Sequence, residues 1–128
     1  LGGAIHADPV VIEDSSSESS NPTFYAIVAS CSWKGKVSCL KIDVNRLTHL
    51  WDIDLWTPIY SPPQHIDIES TNGVFPSLVI CGIDGTVRCL DYTSKGDERW
   101  RAENSGSRPI FTPCLTLKNL IIFGSYDG

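Results

Sequence analysis

The residues of this 128-residue chain with the chemistry to hold a metal or carry a covalent intermediate are five cysteines, three histidines and a scatter of carboxylates. Their spacing argues against both tasks. Seven residues separate Cys31 from Cys39 and Cys81 from Cys89, whereas zinc sites space paired cysteines by about two to four. His6, His49 and His65 lie far apart and fit no ligand spacing. Asp52 and Asp54 alternate on one stretch with no third oxygen donor beside them, and calcium wants several converging oxygens. Neither a Gly-x-Ser-x-Gly elbow nor a Gly-x-x-x-x-Gly-Lys phosphate loop occurs. The cysteines read instead as small packed hydrophobes in the thiol form, and reduced thiols point to an intracellular, cytoplasmic setting. Periodicity does not fix the register that a cross-strand disulfide between them needs, so that pairing stays open.

The cysteines recur because the sequence recurs. Tyr25 to Trp51 returns as Leu78 to Trp100 about fifty residues later, and Leu120 to Gly128 begins a third copy. Cys31 aligns with Cys81, Gly35 with Gly85, Cys39 with Cys89 and Trp51 with Trp100. A second phrase, Pro58-Ile59-Tyr60-Ser61-Pro62, recurs as Pro109-Ile110-Phe111-Thr112-Pro113 and more faintly as Ala4 to Pro9. A repeat of this length built from strands is the signature of a β-propeller. The expected architecture is all-β with four-stranded antiparallel blades. Residues 1–55 form the first, 56–105 the second, and 106–128 the start of a third. Propellers close their ring with about four to eight blades, so the sequence reads as an incomplete propeller, a piece of a longer protein. Asp127-Gly128 reads as a hairpin turn with its return strand still to come.

Within the second copy, Pro58 to Ile68 reads as an extended start, and Leu78 to Cys81 as a buried strand. Asp84-Gly85 is a hairpin signal, because glycine accepts the positive φ of such turns. Thr86 to Tyr92 returns with alternating sides, and Glu98 to Glu103 supplies the outer strand with Trp100 pointing inward. Trp51 and Trp100 are expected to be structural, since burying an aromatic of this size stabilises by about 3 kcal/mol. Glu13 to Pro22, with five serines among acidic residues, reads as a solvated loop in the first blade.

A net charge of −5 with scattered Lys and Arg leaves no basic stripe for nucleic acid. No apolar run approaches the roughly twenty residues of a membrane span.

The run Asp84-Gly85-Thr86-Val87-Arg88-Cys89-Leu90-Asp91, followed by a Gly96 turn and Trp100, resembles the repeat of the pyrroloquinoline-quinone (PQQ)-like propellers. Within that superfamily, Pro109 to Cys114 and Ile121 to Gly128 are most similar to the C-terminal propeller of the beta-alanine-activating enzymes, also called acyl-CoA synthetase family member 4 or aminoadipate-semialdehyde dehydrogenase-like. Lys41-Ile42-Asp43 stands in the first copy where the second has Asp91, and Asn45 to Thr48 lacks the turn glycine. The resemblance implies a non-catalytic scaffold or docking module that binds no cofactor. Its partners would be the missing blades and the adenylation and carrier domains of the same polypeptide, an ATP-dependent acid-activating ligase. Two rivals remain. PQQ-dependent dehydrogenases use vicinal cysteines, a stacking tryptophan and calcium, yet no two cysteines adjoin here, and only Trp33 and Trp56 are candidates to stack. A stand-alone WD40-type scaffold would repeat every 40 to 45 residues with Gly-His and Trp-Asp marks, and only Trp51-Asp52 supplies one. Rim loops, including Trp56 to Pro58 and Ser105 to Arg108, are the expected contact sites for a partner.

Overall fold

Alternating apolar and polar residues punctuated by Gly, Pro and Asn turns give strands throughout. The computed structural model, which describes residues 3–15, 20–104 and 106–126, has ten strands and no helix among them. In chain order these are β1 (Val10–Glu13), β2 (Phe24–Ala29), β3 (Lys36–Asp43), β4 (Arg46–Asp54), β5 (Gln64–Ser70), β6 (Gly73–Cys81), β7 (Thr86–Asp91), β8 (Asp97–Glu103), β9 (Leu115–Leu117) and β10 (Leu120–Ile122). Strands β1 to β4 form one antiparallel four-stranded sheet in sequential order, β5 to β8 a second, and β9 and β10 a hairpin. The expected Asp127-Gly128 turn and residues 16–19 of the serine-rich loop lie outside the described residues.

The two sheets repeat each other in register. Cys39 pairs with Ile27 and Trp51, and Cys89 with Val79 and Trp100. Both sheets carry a bulge at the same step, after Cys39 and after Cys89, which raises the local twist. Gly35 and Gly85 close the central hairpins with φ of 54° and 81°, the left-handed region that glycine enters without a Cβ penalty.

One expected equivalence fails. Ala29 pairs with Val37 as Cys81 pairs with Val87, so Ala29 occupies the place of Cys81. The cause is hairpin length. Ser30 N–H donates to Lys36 O across a five-residue loop in the first sheet, whereas Gly82 N–H donates to Thr86 O across three residues in the second. Cys31 therefore falls in the loop, half-buried. The outer hairpins differ in the opposite sense. Asp43 pairs with Arg46 around a two-residue turn, and Asp91 with Asp97 around five, which explains why the first copy has no turn glycine there.

The recurring Pro-Ile phrase is a connector rather than a strand, since β5 starts only at Gln64. Its backbone is tied to the hairpin turn of the preceding sheet and to that of the following one. Ile59 N–H donates to Ser30 O (3.2 Å) and Ile110 N–H to Gly82 O (3.4 Å). Ala4, Pro58 and Pro109 in turn accept from Cys31, Ile83 and Tyr126 at 2.9, 3.2 and 3.1 Å. Trp56 and Ser107, each two residues before the connector proline, share positive φ values of 60° and 48°.

Between the sheets lies the main core. Ile27, Val37, Cys39 and Trp51 of the first sheet pack with Leu78, Ile80 and Leu90 of the second. The period of two along a strand turns Val79, Cys81 and Val87 to the opposite face, where they meet Ile110 and Cys114. Trp51 fastens the first interface. Its Nε1–H donates to Tyr92 O at 2.9 Å, and its ring lies against Gly96, where a Cβ would come within 2.9 Å of it. Gly96 also has φ of 75°, so shape and backbone both demand glycine at that turn.

Trp100 occupies the matching register position on β8 but is 36% exposed, against 7% for Trp51. The expected inward placement of Trp100 is thus corrected. Trp51 is covered by the five-residue turn of a neighbouring sheet, and among the described residues β9 and β10 bring no such turn to Trp100. The difference sets up a direct comparison. Trp51→Ala should cost about 3–5 kcal/mol and Trp100→Ala less than about 1 kcal/mol, read from urea denaturation of the two variants. Equal losses would refute the assignment of Trp51 as the interface fastener.

Candidate functional site

A cleft of about 440 Å³ lies between the two sheets beside the ends of β1 and β7, and Glu13, Asp14, Tyr25, His65, Asp67 and Tyr92 are among its lining residues. Strand β2 contributes Tyr25, β5 contributes His65 and Asp67, and the outer turn of the second sheet contributes Tyr92. Asp14 follows β1 and is held by a backbone bond from its N–H to Thr23 O at 2.8 Å. Asp14 Oδ2 accepts from Lys41 Nζ at 3.2 Å, and Lys41 also lies over the Tyr25 ring.

The aromatic groups are locked edge to face. Tyr25 and Tyr92 have ring centroids 5.2 Å apart, and His65 sits 5.9 Å from Tyr92. His65 Nε2 is buried and lies 3.1 Å from Asp67 Oδ1, off the line of a hydrogen bond. Burial and then the charge of Asp67 push the Tyr92 phenol up to about 12, and burial followed by Asp14 raises Tyr25. The hydrogen bond to Asp14 raises Lys41. Burial is the first cause of both phenol shifts, and the carboxylates Asp14 and Asp67 add to them. Among the described residues no three His, Cys, Asp or Glu side chains converge as metal ligands.

The residues singled out by the repeat have structural partners. Asp84 Oδ1 accepts from the backbone N–H and hydroxyl of Thr86, at 3.0 and 2.6 Å, and Asp91 Oδ1 does the same with Thr93 at 3.0 and 2.7 Å. Asp91 also meets Arg99 at 2.8 Å. Both are turn-locking aspartates, each bonding its own chain two residues on. Cys39, Cys81 and Cys89 are buried, and burial pushes Cys39 up to about 11. Asp52 and Asp54 both face Lys36, at 3.9 and 3.6 Å. The hydroxyl of Ser38 and then the His49 ring hold Asp52 below its ordinary value.

Trp33 and Trp56 come together on the rim, 62 to 66% exposed, with ring centroids 5.3 Å apart and Lys34 over both. They tilt against each other at 46°. The longer first hairpin puts Trp33 there. Sequence reasoning paired neither these two rings nor Tyr25 with Tyr92. Tyr25 opens the first copy and Tyr92 follows the Cys-Leu-Asp run of the second, but only the stacking of two sheets brings the rings together.

No helix among the described residues is long and apolar enough to cross a membrane. No protein-family model, no curated protein and no solved structure matches the chain.

Because the phenol of Tyr92 is raised in the folded state, its neutral form favours folding. That contribution is complete below the ordinary phenol value of about 10 and is lost as pH rises through about 12. A spectrophotometric titration should show one tyrosine still protonated at pH 11, and Asp67→Asn should bring that ionisation to lower pH. Ionisation of every tyrosine in the ordinary phenol range would contradict the cleft geometry.

Proposed function

We propose that the chain is a section of a PQQ-like β-propeller serving as a non-catalytic scaffold or docking module of a larger adenylate-forming, acid-activating enzyme. One observation carries the reading above the others. The two four-stranded sheets repeat the same pairings, the same bulge and the same backbone ties between connector and hairpin. A chain that stacks equivalent sheets by a repeated operation has the logic of a ring. The resemblance of Asp84 to Asp91 and of Pro109 to Cys114 supplies the family. The partners in this reading are further blades and the adenylation and carrier domains of the same polypeptide, with rim loops such as Trp56 to Pro58 open to another protein. The compartment is intracellular and cytoplasmic, in keeping with cysteines held as packed thiols.

Two measurements test it. The complete reading frame from the transcript should place adenylation and carrier domains in the same polypeptide. A secretion signal with vicinal cysteines and calcium-binding carboxylates in neighbouring repeats would overturn the proposal in favour of a quinoprotein dehydrogenase. Independently, 5-fluorotryptophan NMR should show Trp100 solvent-exposed in the 128-residue chain and shielded once the following repeat is joined to it. A Trp100 resonance that stays exposed in the longer chain would refute the stacking of a further blade there.

A further inference from the structure

We propose that the chain associates head to tail with a second copy of itself, the outward face of the β9–β10 hairpin in one molecule packing onto the free face of the first sheet in the next. The contact repeats the one already made between the first and second sheets. It uses that stacking alone and does not rest on the family reading above.

The presenting side of the existing interface is a set of four paired residues. Val10 pairs with Ile27 and Ile12 with Tyr25 across β1 and β2, and all four pack into the core between the two sheets. The same set recurs in the third hairpin, where Leu115 pairs with Ile122 and Leu117 with Leu120. The backbone ties keep the register. Tyr126 N–H donates to Pro109 O as Ile83 N–H does to Pro58 O, which puts Ile122 at the position of Val79, itself the counterpart of Ile27. Ile121 packs against the second sheet, so the period of two turns the four aliphatic residues outward. They are 50 to 64% exposed.

The receiving side is equally well defined. Leu78, Ile80 and Leu90 of the second sheet take up the first and are almost wholly buried. Their counterparts in the first sheet are Ala26, Val28 and Leu40, since Ala26 pairs with Leu40 as Leu78 pairs with Leu90. Val28 and Leu40 are only half-buried, and Val11, paired with Ala26 on the same face, is exposed. Among the described strands the first sheet has only the second beside it.

An apolar patch of this kind marks an interaction surface, and here its complement is carried by the same molecule. That complementarity commits the hairpin face to a second copy. Because the two surfaces differ, the contact is heterologous, and further additions give a ring where the rotation closes and a filament where it does not.

Light scattering on the eluting 128-residue chain should give a mass at least twice that of one molecule. Val28→Lys, and Val11→Lys at the exposed position of the same face, block reception, whereas Leu117→Lys blocks presentation. Each variant alone should elute as a monomer with an unchanged far-ultraviolet circular dichroism spectrum. An equimolar mixture of either receiving-face variant with Leu117→Lys should restore a dimer and nothing larger, because each partner keeps the face that the other has lost. A monomeric wild-type chain would overturn the proposal. So would a receiving-face variant that still dimerises by itself, which would mean that two hairpin faces meet symmetrically, or a mixture that stays monomeric. Val11→Lys, at an exposed position, carries the comparison if Val28→Lys fails to fold.

Discussion

A four-stranded sheet with apolar side chains on both faces cannot satisfy both by itself, and that constraint organises the molecule. The first sheet meets it by packing Ile27, Val37 and Cys39 onto Leu78, Ile80 and Leu90 of the second. Trp51 then fixes how the two sheets sit. An indole that donates to Tyr92 O and lies on Gly96 fits one alignment of the outer turn and no other. The polar bond is worth about 1 kcal/mol net and the buried ring several times that, so apolar burial supplies the stability while the hydrogen bond supplies the alignment.

The two hairpins of each sheet divide the work between them. The first sheet has a long central hairpin and a tight outer one; the second has the reverse. Only the five-residue outer turn of the second sheet is long enough to carry Tyr92 and Gly96 across to Trp51. The long central hairpin of the first sheet instead pushes Trp33 onto the rim beside Trp56. A central hairpin two residues longer and an outer turn three residues shorter thus give the first sheet an exposed aromatic pair where the second has a packed turn.

The cleft follows from the same stacking. Tyr25, His65 and Tyr92 belong to three strands or turns of two sheets, and they converge because Trp51 holds the outer turn in place. Asp14 and Asp67 line the space beside them, and Asp14 is paired with Lys41. Beyond the second sheet, Cys81 and Cys114 share a second core on the opposite face with Val79, Val87 and Ile110.

The sequence by itself determined the class of structure. Its fifty-residue repeat, its strand periodicity and its glycine turns specified four strands, then four, then two, because these patterns are local and each strand's alternation is read within a few residues. The turn-locking roles of Asp84 and Asp91 are equally local. Only the tertiary structure decided that Ala29 rather than Cys31 matches Cys81, since a two-residue difference in loop length is invisible to an alignment that keeps the glycines in step. It also separated Trp51 from Trp100. Both occupy one register position, but burial depends on a neighbouring sheet contributed by residues more than forty positions away, and no local pattern carries that information. The meeting of Tyr25 with Tyr92 and the core shared by Cys81 and Cys114 belong to the same kind, created when one repeat is laid on the next.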